Sequence, residues 1–352
     1  MQFLKVTSPH TSKQGQAGNV MLSVIYATIP GIIALTYFFG VGILINLILA
    51  TIFGLGLEAL ILYMRKRDIT FYLKDYSALV TAFLLGLALP AYAPWWLIAV
   101  GMFFSIVIAK QLYGGLGFNP FNPAMIGYVV LLISFPLEMS SWTTPAPLNG
   151  GELPSLSAAL AKVFLGHELA IEGALLDGYT SATPLELMRQ NDGQLVDQLY
   201  SDTPLFSEAL FAGVGWEWVN IAFLIGGVYL MYKRVFTWHA PISMLVALGV
   251  LAAVFYDGGS SASLGSPLFH WLTGATMFGA FFIITDPVSS AVSNRGRIVF
   301  GALIGVLIFV IRSFSNYPDG VAFAVLLLNF AAPFIDYYTK PRTYGHKSKS
   351  KG

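Results

Sequence analysis

The chain has 352 residues, 56% of them hydrophobic and only 11% charged, with a mean hydropathy of +0.70. A soluble domain carries roughly a quarter charged residues, so this composition excludes a fully water-exposed fold and implies an integral membrane protein. The formal net charge of +1 gives no reason to expect a nucleic-acid partner, and the lack of cysteine excludes disulfides, thiolate catalysis and cysteine-ligated iron–sulfur clusters in this chain.

Residues 1–19 are polar and basic, with no short apolar core before a small-residue cleavage site, which argues against a cleaved signal peptide and for a cytoplasmic N-terminal segment. A bilayer core of about 30 Å takes roughly 20 apolar residues per helix. By that measure a first membrane unit, 20–137, holds candidate spans at Val20–Phe39, Gly42–Met64, Ser77–Pro90, Pro94–Leu112 and Pro123–Leu137. Residues 138–210 are polar and hold most of the acids, with one amphipathic run, L-S-A-A-L-A-K-V-F-L, and are expected to form a small cap. A second unit, 211–337, holds candidate spans at Phe211–Tyr232, Pro241–Tyr256, His270–Thr285, Ile298–Ile311 and Gly320–Tyr337, and a basic tail, 338–352, follows.

Charge orients these spans. With the N-terminus inside, only Lys162, Arg189 and Arg312 of the 19 Lys and Arg fall outside; Lys110 is assigned with the rest to inside-facing loops. That bias needs an even number of spans and turns the 138–210 loop outward. The expected fold is therefore an all-α membrane protein of about ten transmembrane helices, with both ends cytoplasmic and an extracytoplasmic cap between the halves. The third and eighth spans both close on proline (Pro90, Pro287), and the fourth and ninth end in Lys110 and Arg312 before Asn/Pro turns. Five spans per half make any such repeat inverted, with a binding site expected where the halves meet. Trp95, Trp96, Trp216 and Trp218 read as an interfacial belt.

No two of the five histidines share ligand spacing such as i, i+4, so a redox cofactor held here is expected to be organic. The chemically distinctive stretch is D-G-Y-T-S-A-T-P-L-E-L, Asp177 to Leu187. Locally, Thr183-Pro184-Leu185-Glu186 is a capping box with proline at the first helical position. The same hydroxyl, with small neighbours, could carry a phosphate ester at a helix N-terminus, and the two readings are compatible. In G-F-N-P-F-N-P-A, Asn119 and Asn122 either satisfy backbone freed by the prolines or present amides to a ligand. Asp286 is either a turn cap or their partner from the other half. Glu58 is the only acid well inside a span, so it is neutral, paired or facing water, and an ion path is the functional alternative.

D-G-Y-T-S-A-T resembles the flavin-attachment motif, Asp-x-x-Ser/Thr-Gly-Ala-Thr, of the family that contains the D-type membrane component of the Rnf/Rsx ion-translocating oxidoreductase and the B-type membrane component of the sodium-pumping NADH:quinone reductase. Asp177, Thr180, Ala182 and Thr183 match it, and Ser181 stands where glycine is usual. K-Q-L-Y-G-G-L-G-F-N-P-F-N-P-A, T-G-A-T-M-F-G-A-F-F-I-I-T-D-P-V, N-R-G-R and Y-P-D-G-V-A-F-A-V-L-L are also similar to that family, so the resemblance spans both halves. It implies FMN joined by a phosphoester to Thr183 by a separate flavin transferase. It further implies a non-covalent riboflavin in the membrane, for which Asn119, Asn122 and Asp286 are the candidates. The implied setting is the bacterial inner membrane, in a six-subunit Rnf/Rsx complex with the A, B, C, E and G components, where electron transfer between NADH and ferredoxin is coupled to Na⁺ or H⁺ movement. Five-plus-five inverted repeats equally suit a urea-transporter-like channel, to which the family fold is thought to be related, and a non-redox scaffold is a third reading. Neither explains the attachment motif.

Overall fold

The computed structural model describes residues 17–167, 170–171, 174–175, 180–191, 193–261 and 263–340. The first half holds α1 (Ala17–Phe39), α2 (Gly42–Met64), the short α3 (Ile69–Leu73), α4 (Ser77–Ala88), α5 (Trp95–Met102, continued as π-helix over Phe103–Gln111) and α6 (Pro123–Ser134). The polar segment holds α7 (Pro136–Ser140), α8 (Leu156–Leu165), a two-residue antiparallel pair β1 (Ala170–Ile171) and β2 (Ala174–Leu175), then α9 (Pro184–Arg189), α10 (Val196–Asp202) and α11 (Pro204–Ser207). The second half holds α12 (Trp216–Tyr232), α13 (His239–Val254), α14 (Pro267–Leu272), α15 (Thr276–Phe278) running into π-helix over Gly279–Ile283, α16 (Asn294–Phe314) and α17 (Val321–Thr339).

The apolar runs read from the sequence all fall on helices, but their lengths differ. Among the described residues four helices, α1, α2, α16 and α17, are long and apolar enough to cross a membrane by themselves. The third and fifth runs form helices of 12 residues, about 18 Å at 1.5 Å per residue, roughly half the hydrocarbon depth. The eighth run, expected as one span from His270 to Thr285, is broken: Thr273 is extended and Gly274 has φ +56°. Asn220 of α12 makes this break possible, donating to the carbonyls of Leu272 and Gly274 and accepting from the Met277 amide. The sixth run begins at Trp216 rather than Phe211 because the buried Glu217 carboxylate accepts from the amides of Leu210, Phe211 and Ala212 and folds that stretch back.

The halves meet along α1 and α12 and along α6 and α17. Close approach of α1 and α12 depends on glycine: a Cβ on Gly226 would collide with the Ala27 carbonyl, and one on Gly31 with the Phe223 ring. Trp216 departs from the belt expected of it. It is buried and packs edge-on against Phe39 and Trp142, because its side of the first turn of α12 faces the end of α1 and the segment after α7. Trp95 and Trp218 are exposed, as a belt requires.

Gly226→Ala is expected to destabilise by about 1–3 kcal/mol through overpacking, lowering the unfolding temperature of the detergent-solubilised protein. Gly56→Ala, where an added Cβ meets nothing within 4 Å, is expected to leave it unchanged or raise it, since alanine favours helix by about 1 kcal/mol.

Candidate functional site

Thr183 is the N-cap of α9, with extended backbone (φ −70°, ψ 157°), its Oγ accepting the Glu186 amide at 3.3 Å and Pro184 at the first helical position. The segment before it is tied down: Ser181 donates its amide to the Trp142 carbonyl, and Thr180 pairs with Thr143 in an isolated β-bridge. Ala182 is half-buried between them. Asp177 lies outside the described residues. Because α9 has only six residues, little macrodipole acts on its first turn, and the local amides rather than the helix as a whole would face an anion there.

The Thr183 side chain is buried on the wall of a cleft between the halves that Trp142, Trp216, Phe223, Phe278 and Asp319 also line. The cleft is apolar and narrow, about 80 Å³. Ligand pockets usually hold about 300–1,000 Å³, so what the chain presents here is a hydroxyl among aromatic faces rather than a preformed ring cavity. Burial alone would raise the Asp319 carboxyl. The Arg312 guanidinium, whose Nε donates to Oδ1 at 2.9 Å, together with the amides of Ala275 and Gly320, outweighs burial and holds it below the ordinary carboxylate range.

A second, larger cleft of about 420 Å³ opens toward the opposite end, where Arg65, Lys66, Arg67 and Lys74 lie. Asn119, Asn122 and Asp286 all line it, together with Lys110, Thr81 and Phe282. Their roles differ. Asn122 is largely committed to structure: its Oδ1 caps α6 at Met125, its Nδ2 reaches the Ile283 carbonyl of the other half at 3.4 Å, and its amide donates to Asn329. Asn119 makes one side-chain hydrogen bond, from Nδ2 to the Phe121 carbonyl at 3.0 Å, which leaves its Oδ1 for a ligand. Asp286 makes no hydrogen bond to either asparagine and caps its own turn, accepting from the Ser289 hydroxyl at 2.6 Å and the Val288 amide. Burial pushes its carboxyl up, and those hydrogen bonds only partly oppose that.

Glu58 is paired. Lys110, expected in an inside-facing loop, is instead fully buried on the π-helical end of α5, because only there can its ammonium meet Glu58 at 2.6 and 2.8 Å and the Ser77 hydroxyl at 2.7 Å. Gln111 donates to the same carboxylate at 2.9 Å and accepts from Arg65. Sequence reading missed Lys110 as a cleft residue. Its signal was Glu58 itself, since a lone acid within a span calls for a cation at similar depth.

Phe223, Phe278 and Phe282 pack against one another and link the linings of the two clefts. Phe223 and Phe278 line the Thr183 cleft and Phe282 the other, with ring centroids 4.7 to 5.7 Å apart.

Breaking a buried ion pair from one side costs about 3–5 kcal/mol, while removing both charges together is often neutral. Lys110→Met is therefore expected to unfold at markedly lower temperature or denaturant than wild type, and Lys110→Met with Glu58→Gln to recover most of that loss.

The whole chain matches known proteins. Residues 5–345 match the model of the NQR2, RnfD, RnfE family. A protein of Cellvibrio japonicus, named as the D component of an ion-translocating oxidoreductase complex, is 59% identical over 349 residues, covering 99% of this chain and 96% of that protein. Proteins of the same name from Ectopseudomonas mendocina and Salmonella newport are 56% and 50% identical, the first covering 100% of this chain and 98% of its own length, the second 99% of each. With clefts on both sides of the half-to-half interface and likeness along its full length, the chain belongs to the NQR2, RnfD, RnfE family.

Proposed function

We propose that this chain is the D-type membrane component of an Rnf-type ion-translocating oxidoreductase, carrying FMN on Thr183 and riboflavin in the asparagine-lined cleft. It acts as an electron carrier within a translocase and is not catalytic alone. The names of its relatives supply the complex. The single observation that carries the cofactor reading is that Thr183 and the Asn119 group line two different clefts at the same interface, their linings linked by three packed phenylalanine rings. About 30 Å of hydrocarbon is too far for one useful electron hop, and two carriers stacked along one interface shorten it.

In this reading the ten apolar segments all cross or dip into the bilayer as two inverted repeats. The packing supports that: α2 lies against α4 and α5 as α13 lies against α14 and α16, and α6 meets α17 across the centre. Each half also carries a buried ion pair on its fourth or ninth span, Lys110–Glu58 and Arg312–Asp319, at opposite ends. The units are then 20–137 and 211–337 in the inner membrane, 138–210 as a periplasmic cap, and 1–19 and 338–352 in the cytoplasm.

The flavins supply the one- and two-electron chemistry; the chain supplies placement. Thr183 offers an oxygen held by its cap geometry. Asn119 offers an amide to a polar ring edge. Asp286 and Thr81 add polar contacts, while the packed phenylalanine rings keep water from joining the clefts. An ion route past Glu58 requires its pair with Lys110 to open, since both carboxylate oxygens are occupied. Partners are the A, B, C, E and G components of the complex, and a flavin transferase during maturation.

A channel related to urea transporters is the rival, and the packed phenylalanine rings that link the cleft linings speak against an open pore. The two are separated by expression alongside the transferase: a denaturing gel is expected to show a fluorescent band for wild type and none for Thr183→Ala. Asn119→Ala is expected to lose most acid-extractable riboflavin while keeping the fluorescent band. A dark wild-type band contradicts the carrier reading.

A further inference from the structure

A third cavity, about 200 Å³, lies on the other side of α9 from the Thr183 cleft and is lined by residues of α9 and α14, by Ser261, Ser263 and Leu264, and by the last turn of α16. Arg189, Arg312, His270, Ser263 and Ser313 line it, and no acid does among the described residues. Three polar atoms of its lining residues, Ser263 Oγ, Ser313 Oγ and His270 Nδ1, are buried without a hydrogen-bond partner. Ser263, His270 and Arg312 are each more than nine-tenths buried. Buried polar atoms that go unpaired cost about 1–3 kcal/mol each, and three on residues around one cavity point to a site rather than a packing fault.

The balance of donors and acceptors says what the site takes. Arg312 uses Nε on Asp319, one Nη1 proton on the His270 carbonyl and one Nη2 proton on the Thr273 carbonyl, so a proton remains on each terminal nitrogen. Arg189 is held by the Tyr317 carbonyl at 2.6 Å and pairs with no carboxylate among the described residues. With two hydroxyls, these groups offer donors in excess, the demand of an oxyanion. One atom asks the opposite. His270 Nε2 lies 2.9 Å from the Leu264 carbonyl, which can only accept, so the neutral ring presents Nδ1 as an acceptor. Water would meet the hydroxyls but leave the Arg189 charge without a counter-ion. A carboxylate or sulfate would meet the arginines but bring no proton for Nδ1.

We propose that this cavity binds phosphate bearing a free P–OH, either inorganic phosphate or the phosphomonoester end of a small organic molecule. The oxygens meet Arg189, Arg312, Ser263 and Ser313, and the P–OH donates to His270 Nδ1. The site is independent of flavin attachment, and Leu185 of α9 separates it from the Thr183 cleft.

The full-length chain in nanodiscs at about pH 5.5, where a phosphomonoester (second pKa about 6) still carries its P–OH, is titrated calorimetrically with inorganic phosphate, glycerol 3-phosphate and sulfate. At least one phosphate probe is expected to bind about tenfold or more tighter than sulfate, about 1.4 kcal/mol, and whichever of the two binds better identifies the source. Ser263→Ala with Ser313→Ala removes hydroxyls that bond to nothing in the protein, so its unfolding temperature is expected to hold while phosphate affinity falls at least tenfold. Arg189→Ala, at a partly exposed position, is expected to weaken binding with the fold intact. Equal affinity for sulfate and phosphate would mark an adventitious ion only. That result, the absence of phosphate binding, or unchanged binding in both variants overturns the proposal.

Discussion

A helix that stops inside hydrocarbon leaves carbonyls and amides with no water to meet, and the fold rests on how those groups are answered. Buried asparagines answer them. Asn46 donates to the Pro90 carbonyl just beyond α4. Asn220 holds the break between α14 and α15. Asn122 caps α6 while reaching the Ile283 carbonyl, and Asn329 accepts the Asn122 amide and donates to the Ser289 carbonyl. Only with these partners can α4, α6 and α14 be short, and only because they are short do clefts open where the halves meet. Cleft space and backbone satisfaction are thus one feature of the structure.

The two ends of that interface differ chemically. One is apolar and aromatic, around Thr183, Trp142 and Trp216. The other is polar, lined by amides, Thr81 and the Lys110–Glu58 pair. The pair gives the polar cleft a cation without net charge in its wall, since Asp75, Ser77, Gln111 and Arg65 extend the same network to the surface. At the other end Arg312 stands between two cavities, its partner Asp319 on the Thr183 cleft and the arginine itself on the phosphate-type site. A ligand in that site would use the spare protons on the Arg312 terminal nitrogens and leave Nε on Asp319.

Much of this was legible in the sequence because it is written locally. Hydrophobic run lengths located the helices, and Thr-Pro-Leu-Glu located the α9 cap to the residue. The resemblance singled out Thr183, and the structure lines a cleft with it. What the sequence did not carry depends on contacts between distant segments. The break at Thr273–Gly274 needs Asn220, 54 residues from the Gly274 carbonyl it meets. Lys110 reads as a loop cation until Glu58, 52 residues away, is packed beside it. Trp216 reads as a belt residue until Phe39 and Trp142 close over it. Asn122 reads as a ligand group, yet its amide is mostly occupied in joining the halves.

The measurement that bears most directly on the two-cleft account is flavin stoichiometry in the natively matured chain. After acid extraction, one flavin per chain is expected to remain on a proteolytic peptide containing Thr183, and one to appear in the extract as riboflavin. A chain that carries no flavin on that peptide, or one whose only flavin is bound elsewhere, contradicts it.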